Sequence, residues 1–329
     1  MLAYMTKRLL LALLTVWAIS VLSFIIIQLP PGDFVDAYIA NLSASGSVVS
    51  MAEAESLRIL YGLDQPIYVQ YGKWMLRVLA GDFGESMEWK RPVIVVIGDR
   101  LWLTVVLSFA ALILTWGLAL PIGIYSAVRQ YSFGDYVFTF IGFIGLAVPN
   151  FLLALVIMYF SFTLFGANVG GLFSPEYDLA PWGWGKVWDL IKHLPLPAAI
   201  LALAGTAQLI RIMRANLLDE LRRPYVVTAR AKGLPDTRVI LKYPVRAALN
   251  PFASTIAYLF PYLVSGSIII SLVLSLPTVG PLLLKSLIAQ DMFLAGTIIL
   301  LLGVLTVIGT FISDLILMWV DPRIRYQMD

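Results

Sequence analysis

Little in this chain has the residue types and spacing that catalysis needs. It contains no cysteine and a single histidine, His193. Disulfides and thiolate chemistry are therefore excluded, and no second histidine or carboxylate cluster accompanies His193 at metal-ligand spacing. Ser265 and Ser267 supply hydroxyls inside an apolar run. A serine nucleophile needs a base within hydrogen-bond reach, however, and none can be assembled around them. No G-x-x-x-x-G-K-S/T segment occurs to wrap nucleotide phosphates. What stands out is a dense run of cations: Arg211, Arg214, Arg222, Arg223, Arg230, Lys232, Arg238, Lys242 and Arg246. Within it, Val226 to Pro251 reads VVTARAKGLPDTRVILKYPVRAALNP. That composition suits contact with a partner or an anionic surface.

The stretch carries its own folding signals. Pro224 suits a first helical position, the residues through Lys232 favour helix, and Gly233 supplies a stop before Leu234-Pro235. Asp236 is placed to cap a second short helix, and Pro244 and Pro251 punctuate the return toward the membrane. The expected product is a compact helix-turn-helix in which small Ala229 and Ala231 allow close backbone approach. Such a knob fits a partner's groove better than a loop that only holds charge at a lipid surface.

The elements that must position this knob are set by hydropathy. Hydrophobic residues make up 60% of the 329-residue chain and charged residues 13%, the latter about half of the roughly 25% usual in soluble domains. Six apolar runs are long enough to cross about 30 Å of hydrocarbon. They cover Leu9 to Gln28, Leu101 to Val128, Tyr136 to Gly166, Leu194 to Asn216, Phe252 to Leu276 and Met292 to Val320. The first follows Lys7 and Arg8 but is too long for a signal-peptide core and lacks an A-x-A-like cleavage site, so it is an uncleaved span. Uninterrupted runs suit helices, not alternating barrel strands. The expected fold is all-α: a polytopic membrane protein of six transmembrane helices, with residues 1–100 forming an N-terminal span and outer helical loop and residues 101–329 a core.

The basic segment between the fourth and fifth runs, about 217–251, should be cytoplasmic by the positive-inside rule. Counting outward puts Lys7 and Arg8, Arg129, and Arg323 and Arg325 on the same side, with both termini in the cytoplasm. Outside lies a long loop with two short helices, Ala52 to Tyr61 ended by Gly62 and Tyr68 to Leu79 ended by Gly81. Trp182, Trp184 and Trp188 in the second outer loop are expected at headgroup depth, ahead of Pro195 and Pro197. Pro149, Asn150, Gln208 and Asp314 lie within the runs and are candidates for a translocation path. For Asp314, pairing with Arg211 or Arg214 is the expected structural role.

The Val226 to Pro251 stretch resembles the EAA-type coupling loop of binding-protein-dependent ATP-binding-cassette importer permeases. TKRLLLALLTVWAISVLSFIIIQLPPGD from Thr6, YGLDQPIYVQYGKWMLRVLAGDFGES from Tyr61 and WVDPRIRY from Trp319 resemble the oligopeptide/dipeptide/nickel branch. Within that branch the chain is similar to the first of two permease subunits. The resemblance covers nearly the whole chain and implies the transmembrane domain of a type I importer. It further implies a second homologous permease, two ATPase subunits that bind ATP and magnesium, and an extracytoplasmic solute-binding protein, in a bacterial or archaeal inner membrane. No cofactor is expected on this chain, and no nucleic acid among its partners.

By resemblance, Thr228, Ala229, Arg230, Ala231, Lys232 and Gly233 fall on the coupling motif, with Leu234 and Asp236 following; Thr228 stands where the motif's name places glutamate. A second departure lies in SLVLSLPTVGPLLLKSLIAQDM from Ser271, where a glutamate is missing and Thr278 replaces the first glycine of a Pro-Gly-x-Gly element. Pro277, Thr278 and Gly280 should belong to an extracytoplasmic re-entrant segment. That change leaves the cargo open between oligopeptides and short oligosaccharides. The competing function is an ion-coupled secondary transporter, which would work without ATPase subunits.

Overall fold

A computed structural model describes residues 2–29, 31–44, 51–166, 169–254 and 256–320. The chain runs through α1 (Leu2–Gln28), α2 (Phe34–Ala44), α3 (Met51–Tyr61) and α4 (Ile67–Leu79). An antiparallel pair of two-residue strands, β1 (Glu85–Ser86) and β2 (Arg91–Pro92), follows. Next come α5 (Val93–Val128), α6 (Phe133–Ala147), α7 (Asn150–Phe165), α8 (Pro175–Asp178), α9 (Trp184–His193) and α10 (Pro195–Leu221). The chain ends with α11 (Pro224–Ala231), α12 (Asp236–Lys242), α13 (Pro244–Ser254), α14 (Ile256–Val273), α15 (Val279–Ile288) and α16 (Met292–Val320).

Among the described residues, four helices are long and apolar enough to cross a membrane: α1, α5, α10 and α16. The third apolar run is not one kinked helix. It is α6 and α7, bent by 104°, because Val148 (ψ 123°) and Pro149 (ψ 134°) are both extended. Proline lacks an N–H and disfavours helix in the residue before it, so two consecutive residues leave the helix. Taken together the pair gives a fifth crossing, against six expected. The eighteen residues of α14 fall in the fifth run; the side chains of its first turns lie outside the described residues, as does the segment with Arg323 and Arg325.

The chain divides into two compact units. The first joins residues 2–102 with 278–307. Its core is aromatic: the Phe24 ring lies 5.5 Å from Tyr71 and 5.8 Å from Trp74, which is 1% exposed. Helix α16 approaches through two glycines. A Cβ on Gly296 would come within 3.3 Å of Trp74, and one on Gly303 within 2.8 Å of Ile19. The two short outer helices end as expected at Gly62 (φ 70°) and Gly81 (φ 80°), left-handed positions that favour glycine.

Asp291, fully buried just before α16, ties this unit together. Its carboxylate accepts from the Ser86 hydroxyl at 2.5 Å, the Glu88 N–H at 3.2 Å and the Leu294 N–H at 3.1 Å. Burial outweighs these bonds and raises its pKa above 3.8. The folded unit therefore holds a proton there more tightly than the unfolded chain. The contribution is fully present below the ordinary value near 3.8 and is lost as pH rises through the raised folded value. Thermal unfolding followed as pH is lowered from neutrality toward 3.8 should show wild type gaining stability on acidification relative to Asp291→Asn.

The second unit comprises the described residues of 103–277 and 308–320. Its core runs along α10, where Ala198, Leu201, Leu209, Met213 and Leu217 are buried. Helices α6, α7, α13 and α14 all pack on α10. Glycine brings α6 close: a Cβ on Gly145 would come within 2.8 Å of Leu203.

Candidate functional site

The basic segment folds as a small packed knob. Pro224 opens α11, Lys232 ends it, and Gly233 at φ 74° turns the chain. The Gly233 N–H donates to the Arg230 carbonyl at 2.9 Å and the Lys232 N–H to that of Thr228 at 3.1 Å, satisfying the helix end. Helix α12 packs back on α11 through buried Val226, Ala229 and Val239, with Leu234 and Tyr243 alongside. Ala229 is thus the close contact, while Ala231 is exposed. Asp236 does not cap α12. The cap position is Pro235, and Asp236 is the first helical residue, where its carboxylate accepts from Arg230 Nε at 3.0 Å. This exposed pair bridges the turn but contributes at most about 1 kcal/mol. Pro244 opens α13 as expected, whereas Pro251 falls within it.

At the root of the knob the Tyr225 hydroxyl donates to Glu220. Burial and the neighbouring carboxylate push Tyr225 up to about 12. The phenol stays a donor throughout the physiological range, so removing it should loosen the knob without adding any pH dependence near neutrality. Tyr225→Phe is expected to cost about 1 kcal/mol of local stability, read as faster amide exchange in α11. The outer surface presents Val227 and Leu241, 60% and 58% exposed, among Arg230, Lys232, Arg238 and Lys242. Apolar anchors set among cations are what a protein partner can grip.

Of the intramembrane candidates, Pro149 and Asn150 form the corner between α6 and α7. They border a cavity of about 260 Å³ with Ala204, Tyr262 and Gly266. Gln208 is exposed midway along α10, and half-buried Asp314 on α16 is engaged in an interaction. The carboxylate that pairs with Arg214 is a different one, Asp135. Arg214 donates to it through Nε at 3.1 Å and Nη2 at 2.9 Å, and the Asp135 side chain is 3% exposed. Sequence proximity missed this pair because 79 residues separate the partners. The available signal was Ser132 capping α6 with an acid in its first turn. Thr278 precedes α15 and its buried hydroxyl has no hydrogen-bond partner among the described residues; Gly280 is buried in α15, whose ten residues are too few to span a bilayer.

Chain comparison decides the family. Residues 119–326 match the family described as binding-protein-dependent transport system inner membrane component, and residues 1–108 match its N-terminal membrane component. The chain belongs to this family. It is 36% identical over 328 residues to the oligopeptide transport system permease protein AppB of Bacillus subtilis, covering 99% of this chain and 100% of that protein. Against the inner membrane ABC transporter permease protein YejB of Escherichia coli O157:H7, identity is 31% over 366 residues, covering 99% of both. This binding-protein-dependent permease is therefore a multi-pass membrane subunit of an ABC importer with a type I membrane domain, and the ion-coupled alternative is not favoured.

His193 in this permease has a structural environment. Its Nδ1 lies 2.9 Å from the Asp189 carbonyl. The Asp189 carboxylate accepts from the Ser174 N–H and hydroxyl at 2.7 and 2.8 Å. Burial alone would raise this carboxyl, but the Ser174 donors and His193 outweigh it and hold it low. Lys186, buried beside it, donates to the Asp178 and Ala180 carbonyls and sits over the Phe173 and Trp182 rings at 4.8 and 5.3 Å. Trp184 and Trp188 are 90% and 61% exposed on α9, roughly two to three turns before the membrane-spanning α10, the amphipathic placement expected of residues at headgroup depth.

Proposed function

We propose that this chain is one of two homologous membrane-spanning subunits of an ATP-driven importer for short peptides, and that α11–Gly233–α12 is where an ATPase subunit grips it. The observation that carries the reading is the knob: a two-helix unit with its own apolar core, a fixed glycine turn and an exposed apolar and cationic surface. A chain without a phosphate-binding loop must receive work from outside, and a rigid knob transmits displacement where a floppy loop would absorb it. Thr228, Ala229, Arg230, Ala231, Lys232, Gly233, Leu234 and Asp236 make up this contact. ATP and magnesium are held by two partner ATPases, and a solute-binding protein delivers cargo from outside. Both termini face the cytoplasm.

ATPase closure then moves α10 to α14 as a body, exchanging inward-facing and outward-facing states. Peptides are preferred over oligosaccharides as cargo because AppB and a Brucella ovis protein 35% identical over 327 residues are both named for peptide transport. Pro277, Thr278 and Gly280 belong to an extracytoplasmic segment near cargo entry, and residues 1–100 form the N-terminal span and an outer helical loop on the side of the binding protein. Because the chain has no native cysteine, Lys232→Cys gives a clean cross-linking probe. It should join the permease to an ATPase subunit in the assembled complex. A transporting complex that yields no such adduct would contradict the assignment.

A further inference from the structure

Helix α10 carries a stripe of two alanines and two polar residues that its own unit leaves largely uncovered. Ala204, Gln208, Arg211 and Ala215 recur at helical spacing along one side; Ala204 is half-buried and the other three are exposed. The flanking positions are packed. On one side Leu203 and Ala207 meet Gly145 and Gly142 of α6, and on the other Leu201 meets Gly266 of α14. The stripe is thus the floor of a furrow whose walls are α6 and α14. Two cavities of about 260 Å³ adjoin it, one against Asn150 and Ala204, the other against Gly142 and Arg211 and reaching the paired Asp135 and Arg214.

The position of these side chains is informative. Gln208 is the midpoint of the 27 residues of α10, about 20 Å from either end at 1.5 Å per residue. Arg211 lies one turn further on. Both lie inside the apolar run from Leu194 to Asn216, and an amide and a guanidinium facing acyl chains are costly, so such residues turn to a water-filled cavity or a protein partner. One more turn along, Arg214 is neutralised by Asp135. No carboxylate among the described residues pairs with Arg211.

Resting on the reading of this chain as a peptide-importer subunit, we propose that the furrow is its share of the cargo path and that Arg211 binds the C-terminal carboxylate of the passing peptide. A guanidinium matches a carboxylate through two parallel charge-assisted hydrogen bonds. Gln208 and Asn150 each offer a donor and an acceptor, the complement of a peptide unit. All three contacts use groups that every peptide carries whatever its side chains. A path built this way discriminates peptides from neutral solutes without selecting their sequence.

The test uses the complete importer in liposomes, supplied with peptide-loaded binding protein. Uptake of a peptide with a free C-terminus is compared with that of its C-terminal amide, in wild type, Arg211→Gln and Arg211→Lys. Any preference of the binding protein cancels, because only this chain changes. Arg211→Gln should lower uptake of the acid at least about tenfold, the scale of one lost charge-assisted contact, and uptake of the amide less than about twofold. Arg211→Lys, which keeps the charge, should retain a difference between acid and amide. Equal losses for acid and amide would assign Arg211 to a lipid or subunit contact and overturn the proposal, as would no loss for either. Wild type that takes up neither peptide form would remove the peptide-importer reading and the inference with it.

Discussion

Replacing Gly233 by proline should abolish ATP-driven uptake while leaving the chain inserted in the membrane. The turn between α11 and α12 sits at φ 74°, and proline is confined to about −65°. The Gly233 N–H that closes α11 on the Arg230 carbonyl would also vanish. The two helices could no longer fold back, and Val226, Ala229 and Val239 would lose their shared core. None of the apolar runs that direct insertion is touched. Alanine provides a graded control. A Cβ at this position meets nothing within 4 Å, so its cost is only the left-handed backbone, about 1–2 kcal/mol. Gly233→Ala and Gly233→Asp should therefore lower uptake, and Gly233→Pro should stop it, in liposomes containing equal amounts of assembled importer. Normal coupling of ATP hydrolysis to uptake in Gly233→Pro would show that the knob does not carry force.

Asp135→Ala should be the most destabilising single change in the second unit. It leaves Arg214 facing α6 without its counter-ion, and breaking one partner of a buried pair costs about 3–5 kcal/mol. Arg214 is 26% exposed, so the lower part of that range is expected. The same carboxylate also accepts from the Tyr131 N–H at 2.9 Å, so the turn before α6 loosens as well. Removing both charges, as in Asp135→Ala with Arg214→Ala, should restore part of the loss, because no uncompensated cation remains. The measurement is thermal unfolding of the purified complex, and a double variant no better than Asp135→Ala alone would mean that the pair is not the source of the effect.

Local signals in the sequence were the readable ones. Gly62, Gly81 and Gly233 each end a helix at positive φ, and that conformation favours one residue type strongly enough to be read in isolation. Apolar length likewise placed α1, α5, α10 and α16, since lipid leaves few alternatives to a continuous helix. Relations between distant residues were harder. Pro149 announced a break, yet its 104° size depends on Val148 also leaving the helix and on the packing of Gly142 and Gly145 against α10. Asp314 is expected to pair with Arg211 or Arg214 because it lies near the basic end of its helix, and Asp135 became available to Arg214 only once α6 folded against α10. Asp236 looked like a cap by position, but the extended Pro235 took that place and freed the carboxylate for Arg230. Gln208 was a candidate by its place within an apolar run, but that Arg211 shares its exposed face was not legible, because exposure is a property of neighbours and spacing alone does not show which side of α10 they leave bare.

The central claim is that this chain moves cargo only when other chains supply ATP-driven work through its knob. The most direct measurement is peptide uptake into liposomes, comparing the chain alone with the chain assembled with a second permease, two ATPase subunits and the binding protein. Uptake should require ATP and the full assembly, and the chain alone should show none under an imposed proton or sodium gradient. Gradient-driven uptake by the single chain would contradict the account.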